Sequence, residues 1–152
     1  MPYFSPQQLQ NIAVHFIIGS PRSGTTLLTS VLNASPRVLS TPELRFTMAF
    51  YRPYSTQTPK KAPFAQHFTA YTNILFDRIK RSKKAQLQLT NFDEEVYLHF
   101  DAQKLTELSY ANLCKLLLLN IKLPNKDNTT VQTIVDKNPD YTFYVEALMK
   151  VF

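Results

Sequence analysis

The stretch of sequence that decides the fold reads IAVHFII at residues 12–18, GSPRSGTT at residues 19–26 and LLTSVLNASP at residues 27–36. The first segment is a continuous apolar run with β-branched and aromatic residues, which predicts a strand buried on both faces, as in a parallel sheet. After the loop, the pattern predicts a helix whose inward face carries Leu27, Leu28, Val31 and Leu32. Strand, loop and helix in this order predict the start of an α/β unit.

The loop contains both glycines of the chain, Gly19 and Gly24, where average usage would give about 11 in 152 residues. Their spacing is that of a phosphate-binding loop, G-x-x-x-x-G-K-S/T. Such a loop wraps backbone N–H groups around a phosphate at a helix N-terminus, where unsatisfied donors and a partial positive charge favour an anion. The lysine position of that pattern is Thr25, and a cation appears earlier as Arg22, which weakens an ATPase or kinase interpretation.

The segment PRSGTT at residues 21–26 resembles, at every position, the P-R/K-S-G-T-T loop of the sulfotransferases that use 3′-phosphoadenosine 5′-phosphosulfate (PAPS). The flanking segments FIIG and NASP are also similar to that family, particularly to its tyrosylprotein, Golgi-type and bacterial members. The resemblance implies transfer of a sulfuryl group to a hydroxyl acceptor, which could be a small molecule, a sugar, a lipid or a peptide tyrosine. It also implies that Arg22 contacts the sulfuryl group and that the 5′-phosphate is held by Ser23, Gly24, Thr25 and Thr26.

Two further residues are candidates for the chemistry. Glu43 follows a second predicted strand at residues 37–40, and open α/β sheets bind ligands at the carboxyl ends of their strands. The resemblance implies that Glu43 is the general base, while compensation of a helix dipole is the alternative role. The segment DKNP at residues 136–139 resembles the family's N/E/D-K-D/T/N-P motif. It implies that Lys137 approaches the sulfuryl group, with a salt bridge or a solvated lysine as the alternative.

Two other functions stay open at this point. An apolar strand that ends in an aspartate is also how nucleotide hydrolases hold Mg²⁺, so Asp136 would serve a Mg²⁺-dependent P-loop nucleotide-binding enzyme. A non-catalytic protein that keeps only an anion site is the second.

The sulfotransferase interpretation implies no metal, and Cys114, the sole cysteine, is predicted to pack in the core. The three histidines lack the motif context of a base: His15, His67 and His99.

The net charge of +6 and the isoelectric point near 9.5 favour anionic partners. The basic residues are spread out, with one run, KRSKK at residues 80–84, so we expect a phosphorylated small molecule and no nucleic acid. No segment reaches the roughly 18 consecutive apolar residues of a membrane span, and the N-terminus lacks the pattern of a signal peptide. These features predict a cytoplasmic protein without a membrane span.

The predicted fold class is α/β, with a P-loop NTPase-like parallel sheet flanked by helices. We expect residues 1–152 to be the N-terminal part of a single sulfotransferase domain. Within it, residues 12–46 would bind the 5′-phosphosulfate and supply the base, residues 52–128 would form a helical acceptor side, and residues 130–152 a strand and a helix.

The end of the sequence bears on completeness. The chain stops at Phe152, directly after an amphipathic helix and without a polar cap. In the family, an R-D-P-R-type segment that binds the 3′-phosphate follows this region. We therefore expect a domain truncated at its C-terminus, a fragment that is poorly folded or inactive when expressed alone.

Overall fold

The computed structural model describes residues 4–41, 43, 46–49, 109–119, 123 and 125–152. Most of the predicted acceptor side, residues 52–128, lies outside the described residues, as do the basic run at residues 80–84 and the histidines at positions 67 and 99.

Within the described residues, the sheet contains three parallel strands: β1 (Ala13–Ile17), β2 (Val38–Ser40) and β3 (Thr133–Lys137). Their order is β1-β3-β2, so the strand that comes last in the chain lies between the other two. Thr133 of β3 is the register partner of both Ala13 and Val38. The chain is therefore a small α/β unit with a parallel sheet, as the sequence predicts, although β3 extends to Lys137 instead of ending before Asp136.

Five α-helices accompany the sheet in the described part of the chain: α1 (Pro6–Asn11), α2 (Thr25–Leu32), α3 (Phe46–Ala49), α4 (Tyr110–Leu119) and α5 (Val145–Val151). Short 3₁₀ segments lie at Asn128–Thr130 and Pro139–Tyr144. The predicted helix after Asn138 thus begins as a 3₁₀ segment before it becomes α5.

The core is built on β3, the middle strand, which has sheet partners on both sides. Ile134, Val135, Asp136 and Lys137 are all buried, and Leu39 of β2 and Leu116 of α4 are buried with them. Cys114 is buried on α4, as predicted. Because both edges and both faces of β3 are covered, the burial on both faces predicted for the first strand is found here instead.

Two burial predictions for the first strand and helix are wrong. Residues of β1 alternate between exposed and half-buried, and His15 is exposed, because β1 is an outer strand among those described. On α2 the polar Thr29 is buried, while the predicted inward residues Leu27 and Val31 are 71% and 61% exposed. The apolar stripe of α2 therefore faces away from the described core.

Side-chain hydrogen bonds fix the connection between α2 and β2. The amide of Asn33, at the end of α2, bonds both the N–H and the C=O of Ser40 at 2.7 Å. The Lys126 Nζ atom donates to the carbonyl oxygens of Asn33, Ser35 and Val38 at 2.6–2.8 Å. The bond to Asn33 satisfies a carbonyl at the end of α2, and the bonds to Ser35, Val38 and Ser40 hold the connection against β2.

Candidate functional site

The loop between β1 and α2 has the backbone geometry of an anion site. Gly24 is the N-cap of α2, has a φ of 82° and gives the helix no side-chain cap. The first amides of α2 therefore lack an intrahelical or capping partner, and they carry the positive end of the helix dipole. A helix N-terminus of this kind, placed after a parallel strand, favours binding of an anionic group.

The two glycines suit the loop for different reasons. At Gly24 a Cβ atom would meet nothing within 4 Å, so the requirement there is the positive φ, which side chains disfavour. At Gly19 a Cβ atom would lie 3.0 Å from Ser23 Oγ and 3.4 Å from Thr25 Cγ2. Gly19 thus allows the loop to fold closely onto itself, and the Ser23 N–H donates to the Ser20 carbonyl within the same turn.

Arg22 also has a left-handed backbone conformation, with a φ of 68°. For a residue with a Cβ atom this conformation costs roughly 1–2 kcal/mol. Its side chain is exposed in the loop. A strained residue held at the rim of a phosphate-type loop is typical of a functional position.

Glu43 and Lys137, which the sequence places far apart, form an ion pair. Lys137 Nζ lies 3.3 Å from Glu43 Oε2, and the two side chains are 8% and 29% exposed. Lys137 ends β3 and Glu43 follows β2, so the pair lies where the carboxyl ends of two neighbouring parallel strands meet. The salt bridge left open for Lys137 is therefore present, and its partner is the other candidate residue.

The loop begins beside this ion pair. Lys137 is the register partner of Ile17, the last residue of β1, and the Asn138 N–H donates to the Ile17 carbonyl at 3.2 Å. Gly19 follows two residues later. The loop, Lys137 and Glu43 thus follow the carboxyl ends of β1, β3 and β2 along one edge of the sheet.

A family model described as the Sulfotransferase family matches residues 15–152. The chain belongs to the sulfotransferase family. No curated protein and no solved structure matched the chain significantly. The family match spans the loop, Glu43 and Lys137, so the resemblance of residues 21–26 to the family's loop is confirmed at the level of the family.

Asp136 has surroundings that the sequence did not predict. Its side chain is 0% exposed and accepts hydrogen bonds from three hydroxyl groups, those of Thr41 (3.3 Å), Thr47 (2.9 Å) and Tyr141 (2.8 Å). We call Asp136 and these three residues the hydroxyl cluster. Burial raises the pKa of Asp136 to about 6, although the three hydrogen bonds favour its ionised form. A carboxylate engaged in this way differs from the metal ligand that a nucleotide hydrolase needs.

The hydroxyl cluster could not be found from sequence periodicity, because its members come from separate elements. Thr41 follows β2, Thr47 lies on α3, and Tyr141 lies in the 3₁₀ segment that leads to α5. Tyr110 of α4 adds to it by donating to the Thr47 carbonyl. The only signal in the sequence is an aspartate in a segment that is otherwise apolar, which demands buried donors.

The raised pKa of Asp136 predicts how stability depends on pH. Its carboxyl titrates near 3.8 when unfolded and near 6 when folded, so between these pH values the folded state binds more protons. The free energy of unfolding should therefore fall as pH rises from about 4 to 6, by about 3 kcal/mol in relation to Asp136→Asn. Urea unfolding of both proteins from pH 4 to pH 7 checks this.

The comparison with Asp136→Asn isolates this one group. Asp127, whose pKa is lowered by hydrogen bonds from Thr129, titrates alike in both proteins and cancels. The expected result is that the unfolding free energy of the wild-type protein minus that of Asp136→Asn falls with pH. If this difference stays flat or rises with pH, the pKa shift of Asp136 is contradicted.

Among the described residues, no group of three or more His, Cys, Asp or Glu side chains is arranged to hold a metal ion. None of the helices in the described ranges is long and apolar enough to cross a membrane.

Proposed function

We propose that this sulfotransferase uses PAPS as its sulfuryl donor and transfers the sulfuryl group to a hydroxyl-bearing acceptor. The observation that carries the proposal is the uncapped N-terminus of α2 behind a positive-φ glycine, beside the Glu43–Lys137 ion pair. In this assignment residues 12–46 and 130–152 form the donor side, and residues 52–128 the acceptor side.

The loop fits the 5′-phosphosulfate of PAPS on its own geometry. The α2 amides have no side-chain cap, the Gly24 turn is open, and Arg22 supplies a cation at the rim. Ser23, Thr25 and Thr26 add hydroxyl groups to the same turn. PAPS, when bound, supplies an activated sulfuryl group and a phosphate leaving group. Donors already aimed at that phosphate would stabilise the charge that develops on it.

Glu43 is the proposed general base. Its Oε2 atom is held by Lys137, which leaves Oε1 for the proton of the acceptor hydroxyl. The side chain is partly exposed, so an acceptor can reach it, while the ammonium group of Lys137 is largely buried. Lys137 thus orients the carboxylate and places a positive charge beside the position that the transferred group would occupy.

Calorimetric titration tests the donor. The purified protein is titrated with PAPS, with its desulfated 3′,5′-bisphosphate and with ATP–Mg²⁺. We expect binding of PAPS and of the bisphosphate, and weaker binding of ATP–Mg²⁺. A preference for ATP–Mg²⁺ would overturn the proposal in favour of a nucleotide-binding enzyme. Binding of PAPS and of the bisphosphate, without any sulfuryl transfer in protein produced from the complete reading frame, would indicate a non-catalytic anion-binding protein.

A further inference from the structure

Asp136 and Lys137 are neighbours on β3 and hold the same stretch of chain from two sides. Successive side chains of a strand point to opposite faces of the sheet. Lys137 contacts the carboxylate of Glu43, whereas Asp136 contacts residues on either side of it, Thr41 and Thr47. The segment that carries Glu43 is thus attached to β3 before, at and after Glu43.

We propose that Asp136 is a positioning residue, whose buried carboxylate holds Thr41 and Thr47 on either side of Glu43 and thereby places Glu43 against Lys137. The inference rests on the proposed function, because it gives Asp136 a role in a reaction for which Glu43 is the base. Asp136 itself does not reach the acceptor, since its side chain is fully buried.

The contacts on the two flanks of Glu43 support this role. Before Glu43, the Thr41 N–H continues the sheet by donating to the Val135 carbonyl at 2.9 Å. After Glu43, Thr47 is held at two points, by its hydroxyl, which donates to Asp136, and by its carbonyl, which accepts from Tyr110. The Thr47–Asp136 hydrogen bond therefore anchors the chain to β3 after Glu43, as the Thr41 contacts do before it.

The charge of the carboxylate suits this task. An ionised aspartate only accepts hydrogen bonds and can serve several hydroxyl donors at once, whereas an asparagine has one acceptor oxygen. Hydrogen bonds to a charged acceptor are shorter and stronger than neutral ones. Burial of a carboxylate is costly unless it is hydrogen-bonded, and the three hydroxyl donors around Asp136 offset that cost.

The experiment compares Thr47→Val with Thr47→Ser in protein produced from the complete reading frame. Valine matches threonine in shape and lacks the donor, whereas serine keeps the hydroxyl. We expect Thr47→Val to lower kcat for sulfuryl transfer by about 10- to 100-fold, as small misplacements of a catalytic group do. The KM for PAPS should stay within about twofold, and Thr47→Ser should keep most of the wild-type kcat. Equal losses in both variants, an unchanged kcat, or a rise in KM alone would overturn the inference.

Amide hydrogen exchange of the same proteins separates this inference from the proposed function. We expect faster exchange across residues 41–49 in Thr47→Val, with the loop at residues 19–26 unchanged and Thr47→Ser close to wild type. If the wild-type protein transfers no sulfuryl group, the proposed function fails, while exchange still shows whether the cluster holds the Glu43 segment. Unchanged exchange across residues 41–49 would overturn the inference whatever the activity.

Discussion

Glu43→Gln should lower kcat for sulfuryl transfer by about 10²- to 10⁴-fold, the usual contribution of a general base. Glutamine keeps the shape of the side chain and can still contact Lys137, but it cannot take the proton of the acceptor hydroxyl. The loop at residues 19–26 follows a different strand, so binding of the desulfated 3′,5′-bisphosphate should be unchanged. Steady-state kinetics and calorimetry on protein from the complete reading frame measure the two effects separately.

Glu146→Gln is the matched control for this change. Glu146 lies in the first turn of α5 and is exposed, and the substitution removes the same charge. It should leave kcat unchanged. A kcat of Glu43→Gln within about threefold of wild type would remove Glu43 from the role of base and would leave its ion pair with Lys137 as a structural contact.

Arg22→Ala should have the second large effect, a weakening of PAPS binding by about 10- to 100-fold. A hydrogen bond to a charged group contributes roughly 1.5–3 kcal/mol, and each 1.4 kcal/mol is a factor of ten in affinity. Arginine and alanine both carry a Cβ atom at this positive φ, so the backbone strain is alike in the two proteins. The change therefore reports on the guanidinium group alone, and calorimetric titration with PAPS measures it.

Two further variants make the Arg22 result specific. Arg37→Ala removes another exposed arginine and should leave PAPS affinity unchanged. Arg22→Lys keeps a cation and should retain part of the affinity, less than arginine because lysine lacks the planar, forked donor geometry. Equal affinities of Arg22→Ala and wild type would show that the amides and hydroxyls of the loop bind the anion without Arg22.

The sequence predicts the order of strand, loop and helix around residues 19–26, because local chemistry determines it, although the burial predicted for the strand and the helix is wrong. A glycine at positive φ, an apolar strand before it and a helix after it are all visible in residues 12–36. The meeting of Glu43 and Lys137 also follows from a general rule, since both come at the carboxyl ends of parallel strands. Their ion pair confirms that the rule brings them together, while their catalytic roles stay a proposal.

Other features depend on tertiary contacts that no periodicity reveals. The orientation of α2 is one, because its apolar stripe predicts burial and Leu27 is instead exposed. The hydroxyl cluster is another, since it joins side chains from elements distant in sequence. Helix α1, by contrast, had a readable signal, the capping box in which Ser5 and Gln8 bond each other's backbone N–H.

The strand order β1-β3-β2 fixes a distance in the proposed reaction. The loop follows one outer strand of the described sheet, Glu43 follows the other, and Lys137 ends the strand between them. Neighbouring strands lie about 4.8 Å apart, so the two outer strand ends are separated by about 10 Å. An in-line transfer, as in phosphoryl chemistry, needs the acceptor oxygen opposite the leaving oxygen, with the base within hydrogen-bond reach of the acceptor's proton. By reaching back to Lys137 at the end of the middle strand, the Glu43 carboxylate spans part of this gap, which brings the proposed base closer to the donor side than the strand ends alone would allow.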